Sequence, residues 1–103
     1  MNNFKEKLAD FLRVKGIRIY FPEKYHERLF NYVDRHGGYS TMNLHFYNNC
    51  YGMAYADMST DTKDTICHLL NFLYECSIVL LLRFSLDYDY GTDELIVKMK
   101  EIF

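Results

Sequence analysis

YSTMNLHFYNNCYGMAYADM, residues 39–58, reads as a β-hairpin with its turn at Asn48 and Asn49. Asparagine tolerates positive φ, which a two-residue hairpin turn requires. That turn sets the pairing: Tyr47 faces Cys50, Phe46 faces Tyr51, His45 faces Gly52, Leu44 faces Met53 and Met42 faces Tyr55. Side chains alternate across a strand, so Met42, Leu44, Phe46, Tyr51, Met53 and Tyr55 share one face. This is the expected core face. The other face holds Thr41, Asn43, His45, Tyr47, Gly52, Ala54 and Ala56. A slip of one residue would bury Asn43 and His45 and expose Leu44 and Phe46, so the register is well specified. The small row Gly52, Ala54, Ala56 leaves a shallow trough that another element or molecule could approach.

Outward from the hairpin, the chain divides into short periodic segments. Asn3 and Glu6 suit a capping box, and Phe4, Leu8, Phe11 and Leu12 follow helical spacing, so residues 1–15 predict an amphipathic N-terminal helix. Gly16 supplies its stop. Ile17, Ile19 and Phe21 alternate with Arg18 and Tyr20, as in a half-buried strand. Pro22 suits the start of a helix, whose stripe is Tyr25, Leu29, Tyr32 and Val33 and which ends before Gly37 and Gly38. Beyond the hairpin, Ser59 to Asp64 is rich in N-capping types, and Ile66, Leu69, Leu70 and Leu73 form the next stripe. Ile78 to Phe84 predicts a strand apolar on both faces, followed by a polar turn over Asp87 to Gly91. In the last segment, residues 92–103, Thr92 is a cap and Leu95, Ile96, Met99 and Ile102 fit a helix. Asp93 and Glu94 at its start and Lys98 and Lys100 near its end agree with the helix dipole.

The expected architecture is therefore a single α+β domain over residues 1–103. Its core, residues 16–86, runs strand, helix, strand, strand, helix, strand, with a helix added at each end. This order resembles the ferredoxin-like βαββαβ arrangement, which implies a four-stranded antiparallel sheet with both central helices on one face. A fold likeness carries no function by itself.

The sheet face away from those helices would display Arg18, Tyr20, Asn43, His45, Tyr47, the small row, Val79, Leu81 and Arg83. Three covers fit it: the N-terminal helix folded back, a second copy of the chain docked sheet to sheet as a homodimer, or a different partner.

With 103 residues and half of them hydrophobic, the chain can bury one real core. Its net charge of −2 gives no global field for nucleic acid. The charge is uneven, with eight Lys or Arg against five acids up to residue 36 and four against nine afterwards. Cys50, Cys67 and Cys76 are an odd set without metal-type spacing, which points to reduced thiols in a cytoplasmic protein. No apolar run is long enough to span a bilayer.

Motifs for chemistry are sparse. Residues 49–55 sit where an RNA-recognition motif places its third-strand aromatic segment, but only Tyr51 and Gly52 fit. Tyr51 also falls on the core face, whereas RNA-stacking aromatics must face solvent. Direct nucleic-acid binding is therefore the lesser expectation; it would use Arg18, Tyr20, Tyr47 and Arg83. His26, His36, His45 and His68 are scattered, so no metal or other cofactor is expected. Cys50 and His45 lie near one end of a face without a third group to orient the histidine, and no catalytic residues are assigned.

A short, Tyr- and Asn-rich chain of this kind also resembles the small inhibitors carried by phages and mobile elements, anti-CRISPR proteins among them. The likeness lies in size and composition and transfers no residue roles. It implies a non-enzymatic, stoichiometric inhibitor that occludes a surface of a larger host protein. The acidic second half would suit a basic, nucleic-acid-binding partner, although acidic residues at helix starts account for Asp61, Asp64, Asp93 and Glu94 without one. The expected contacts are Tyr20, Asn43, His45 and Tyr47 on the open sheet face and Asp87 and Asp89 in the acidic turn.

Overall fold

The computed structural model describes residues 14–36, 43–55 and 59–102. The element order is β1 (Gly16–Tyr20), a 3-10 turn (Glu23–Tyr25), α1 (His26–Arg35), β2 (His45–Tyr47), β3 (Cys50–Ala54), α2 (Thr60–Val79), β4 (Leu82–Asp89) and β5 (Glu94–Glu101). Among the described residues the fold is α+β, with two helices and one sheet. Most of the expected N-terminal helix falls on residues 1–13, outside the described residues, as do Thr41, Met42 and Ala56 of the hairpin.

The described residues form a sheet of five strands in the order β2-β3-β1-β5-β4. It is mixed, where four antiparallel strands were expected. β1 pairs antiparallel with β3 but parallel with β5. The fifth strand is the correction that matters most. Glu94–Glu101 is extended, not helical, and pairs with β1 and β4 along its length. Leu95, Val97 and Met99 are buried, and they alternate with Ile96, Lys98 and Lys100. The segment satisfies a period of two as well as a helical stripe, and pairing on both sides decides for the strand.

A second correction concerns residues 78–84. α2 continues through Ile78 and Val79, closed by the Leu80 amide donating to Cys76 O at 2.8 Å. Leu81 then takes a left-handed conformation, φ 54°, and ends the helix. Val79 and Leu81 are thus exposed residues at a helix terminus, not part of the sheet face. Asp87 and Asp89 belong to β4, and the turn that follows spans residues 90–93.

The hairpin forms in the expected register, with Tyr47, Phe46 and His45 opposite Cys50, Tyr51 and Gly52. Asn48 and Asn49 both have positive φ, 49° and 63°, as a type I′ turn demands. Tyr51, Met53 and Tyr55 are buried, and Leu44 packs against them half-buried. Phe46 departs from expectation. It lies on the core side of the sheet yet is 59% exposed, because β2 is a three-residue edge strand. Its ring meets only the His26 and Tyr51 rings among the described aromatic contacts.

Both helices pack on one side of the sheet. Leu29 and Val33 of α1 and Ile66, Leu69, Leu70 and Leu73 of α2 form one core with Ile17, Ile19, Tyr51, Met53, Leu95, Val97 and Met99. Ser59 caps α2 by accepting the Thr62 amide at 3.3 Å. Among the described residues, no helix packs on the opposite side of the sheet.

Candidate binding face

Strand register determines which side chains share the open face. Arg18 sits between Gly52 and Ile96, and Ile96 faces Asp87. Tyr20 sits beside Lys98, which faces Ser85. Glu94 sits between Gly16 and Asp89, and Lys100 faces Arg83. His45 and Tyr47 extend the face at the β2 edge.

The geometry brings most of the expected contact residues together. Tyr20, His45, Tyr47, Asp87 and Asp89 all lie on this face, and Asn43 is exposed just before β2. The sequence-based reading placed Glu94, Lys98 and Lys100 on a helix, and so missed them. The alternation Leu95, Val97, Met99 was the signal that could have found them.

The centre of the face is braced. Arg18 Nη2 donates to Glu94 Oε1 at 2.6 Å. The Tyr47 hydroxyl donates to the other carboxylate oxygen at 3.2 Å. Tyr47, Tyr20 and Glu94 around the Arg18 guanidinium hold its proton more tightly than usual. The expected trough is partly filled by this brace, since the Tyr47 ring lies over Gly52. A Cβ on Gly52 would overlap that ring, with Cζ and Oη both at 2.9 Å. Tyr47 and Glu94 meet although β3 and β1 separate their strands, a span of roughly 14 Å at normal strand spacing. Gly52 is what lets the ring lie this low. Beside the brace a cleft of about 270 Å³ remains between His45, Tyr47, Gly52, Ala54, Thr92 and Glu94.

Charge divides along the strands. Glu94, Asp87 and Asp89 lie toward one end of the face, and Arg83, Lys98 and Lys100 toward the other. The carboxylates near the turn already have local tasks. Asp87 Oδ1 accepts the Tyr88 amide at 2.8 Å, and Asp89 Oδ1 accepts the Gly91 amide at 2.9 Å. Tyr88 Oη donates to Asp93 Oδ1 at 2.6 Å.

Tyr51 is turned into the core against His26 and Phe30, out of reach of a stacked base. Cys50 is buried, its Sγ donating to Tyr47 O at 3.2 Å, and burial pushes its thiol up, away from the reactive thiolate. His26 and His36 donate ring N–H groups to Phe21 O and Tyr32 O. Among the described residues, no three His, Cys, Asp or Glu side chains cluster as metal ligands would. No described helix is long and apolar enough to cross a membrane. Compared with known proteins, the chain matches no family model, no curated protein and no solved structure.

Proposed function

We propose that this chain is a non-enzymatic protein-binding domain whose contact surface is the open sheet face. It would act as a stoichiometric inhibitor of the phage-borne, anti-CRISPR-like kind, occluding a surface of a larger host protein. One observation carries the reading: the brace of Arg18, Glu94 and Tyr47 fixes an aromatic side chain on a paired sheet. A rigid aromatic anchor lowers the entropy lost on association, which favours recognition. Tyr20, Asn43, His45 and Tyr47 would form the centre of the contact. Asp87 and Asp89 would meet basic groups of the partner.

A second reading has its own support. Lys98 and Lys100 on β5 join Arg83, Arg18 and Tyr20, and a basic patch beside an aromatic ring also suits single-stranded nucleic acid. Salt separates the two readings. Nucleic-acid affinity falls steeply with ionic strength through counterion release.

The test captures partners from a nuclease-treated host lysate with the wild-type chain and with the exposed variant His45→Ala, alongside Tyr20→Ala. A specific protein held by wild type, lost by variants that still melt like wild type, supports the inhibitor reading. Capture that ignores both substitutions overturns it. Tight, salt-sensitive binding of labelled single-stranded RNA or DNA, with no protein captured, supports the second reading.

A further inference from the structure

The two edges of the sheet differ. The β2 edge is three residues long. The β4 edge is eight residues long, and its ladder with β5 runs without a bulge from Leu82 opposite Glu101 to Asp89 opposite Glu94. No described strand lies beyond β4. Long regular edges invite pairing, and proteins normally blunt them with proline, bulges or lysine. The segment Leu82-Arg83-Phe84-Ser85-Leu86-Asp87-Tyr88 contains no proline and no lysine, and its ladder has no bulge. A local plug is Asp87, whose carboxylate takes the Tyr88 amide.

The same segment is complementary to itself. Directly opposed residues in an antiparallel pair share a face. A two-fold axis through Ser85, perpendicular to the sheet, sets Arg83 of each copy opposite Asp87 of the other. It also sets Phe84 opposite Leu86 and Leu82 opposite Tyr88. The two charge pairs would lie on the open face. The apolar pairs would lie on the helix side, where Phe84, Leu86 and Tyr88 are only half-buried against their own core. Ser85, a small residue, meets itself at the axis.

We infer that two copies of this chain associate through β4 in that register, forming one continuous ten-stranded sheet. Pairing exchanges the contact between Asp87 and the Tyr88 amide for a contact between Asp87 and Arg83 of the second copy. The Tyr88 amide then gains a main-chain acceptor. Neither copy covers the other's open face, but Asp87 serves both contacts, so self-association leaves Asp89 as the acidic group for a partner.

Sedimentation equilibrium of the full chain over a wide concentration range tests this, with thermal melts confirming that each variant folds. The wild type is expected to show a monomer–dimer equilibrium. Arg83→Asp or Asp87→Arg alone sets like charges opposite each other twice, and should weaken the dimer by roughly tenfold or more. The double variant Arg83→Asp/Asp87→Arg should restore it. An equimolar mixture of the two single variants should form heterodimers where neither alone dimerises. A wild type that stays monomeric throughout overturns the inference. So does a dimer that ignores both reversals, and a dimer broken by Asp89→Arg but not by Asp87→Arg overturns the register.

Discussion

Arg18 and Glu94 lie 76 residues apart in sequence, yet their side chains meet at 2.6 Å across the junction of β1 and β5. Both are mostly shielded, with side-chain exposures of 23% and 16%. A charge-assisted hydrogen bond in that setting contributes about 1.5–3 kcal/mol, and breaking it strands a half-buried charge. Glu94→Gln should therefore cost about 1–2 kcal/mol in urea unfolding, because the amide keeps one acceptor for the guanidinium. Arg18→Ala should cost more, since it leaves the Glu94 carboxylate with Tyr47 alone. Equal stability of Glu94→Gln and wild type would show that solvent screens the pair.

Gly52 and Gly16 respond differently to an added methyl group. At Gly52 the obstacle is the Tyr47 ring, a side chain that can swing out. At Gly16 it is Met53 O, a backbone atom at 2.5 Å within the ladder of β1 and β3. Gly52→Ala should fold and lose about 1 kcal/mol, as the Tyr47 hydroxyl leaves Glu94. In a Tyr47→Ala background the same change should be close to neutral, and this double-mutant cycle measures the coupling. Gly16→Ala should lose more, with no rescue by Tyr47→Ala. If Gly52→Ala costs the same in both backgrounds, the ring is not what Gly52 accommodates.

Alkali should unfold the protein through its buried phenols. Burial raises Tyr55 and Tyr51 above the ordinary tyrosine value, and hydrogen bonding to Asp93 raises Tyr88. The folded state keeps these protons at a pH where the unfolded chain sheds them. Their contribution is therefore whole below about pH 10, the unfolded value, and is lost as pH rises toward the folded values. Urea midpoints should fall between pH 9 and 12. Absorbance at 295 nm should show a late class of tyrosines that ionises with unfolding. Tyr55→Phe should flatten the slope. An unchanged slope in Tyr55→Phe would put the alkaline sensitivity elsewhere.

The hairpin was legible because each local rule pointed the same way. Asparagines at the turn, alternation on both strands and the cost of a register slip left one arrangement. The stripes of α1 and α2 were legible for the same reason. The final segment was not. Leu95, Ile96 and Met99 suit a helix, while Leu95, Val97 and Met99 suit a strand, and local periodicity cannot choose between them. The choice is made by β1 and β4, whose backbones offer β5 a ladder on each side. At Ile78 and Val79, the run apolar on both faces argued for a strand, but the helix already running from Thr60 overrode it. The open face was only half visible for the same reason: its basic end resides on β5.

The parallel pairing of β1 with β5 also has a consequence for how the molecule is made. Residues 16–20 bond to residues 94–98, so β1 cannot gain this neighbour until the helices and strands between them have been synthesised. Until then the growing chain carries β1 and β3 with one flank of β1 unfilled. Local helices can form early, but the sheet cannot close until β5 has been made. Pairings this distant in sequence form slowly and leave apolar edges exposed meanwhile. A chain cut short before residue 94 would lack an inner strand of the sheet.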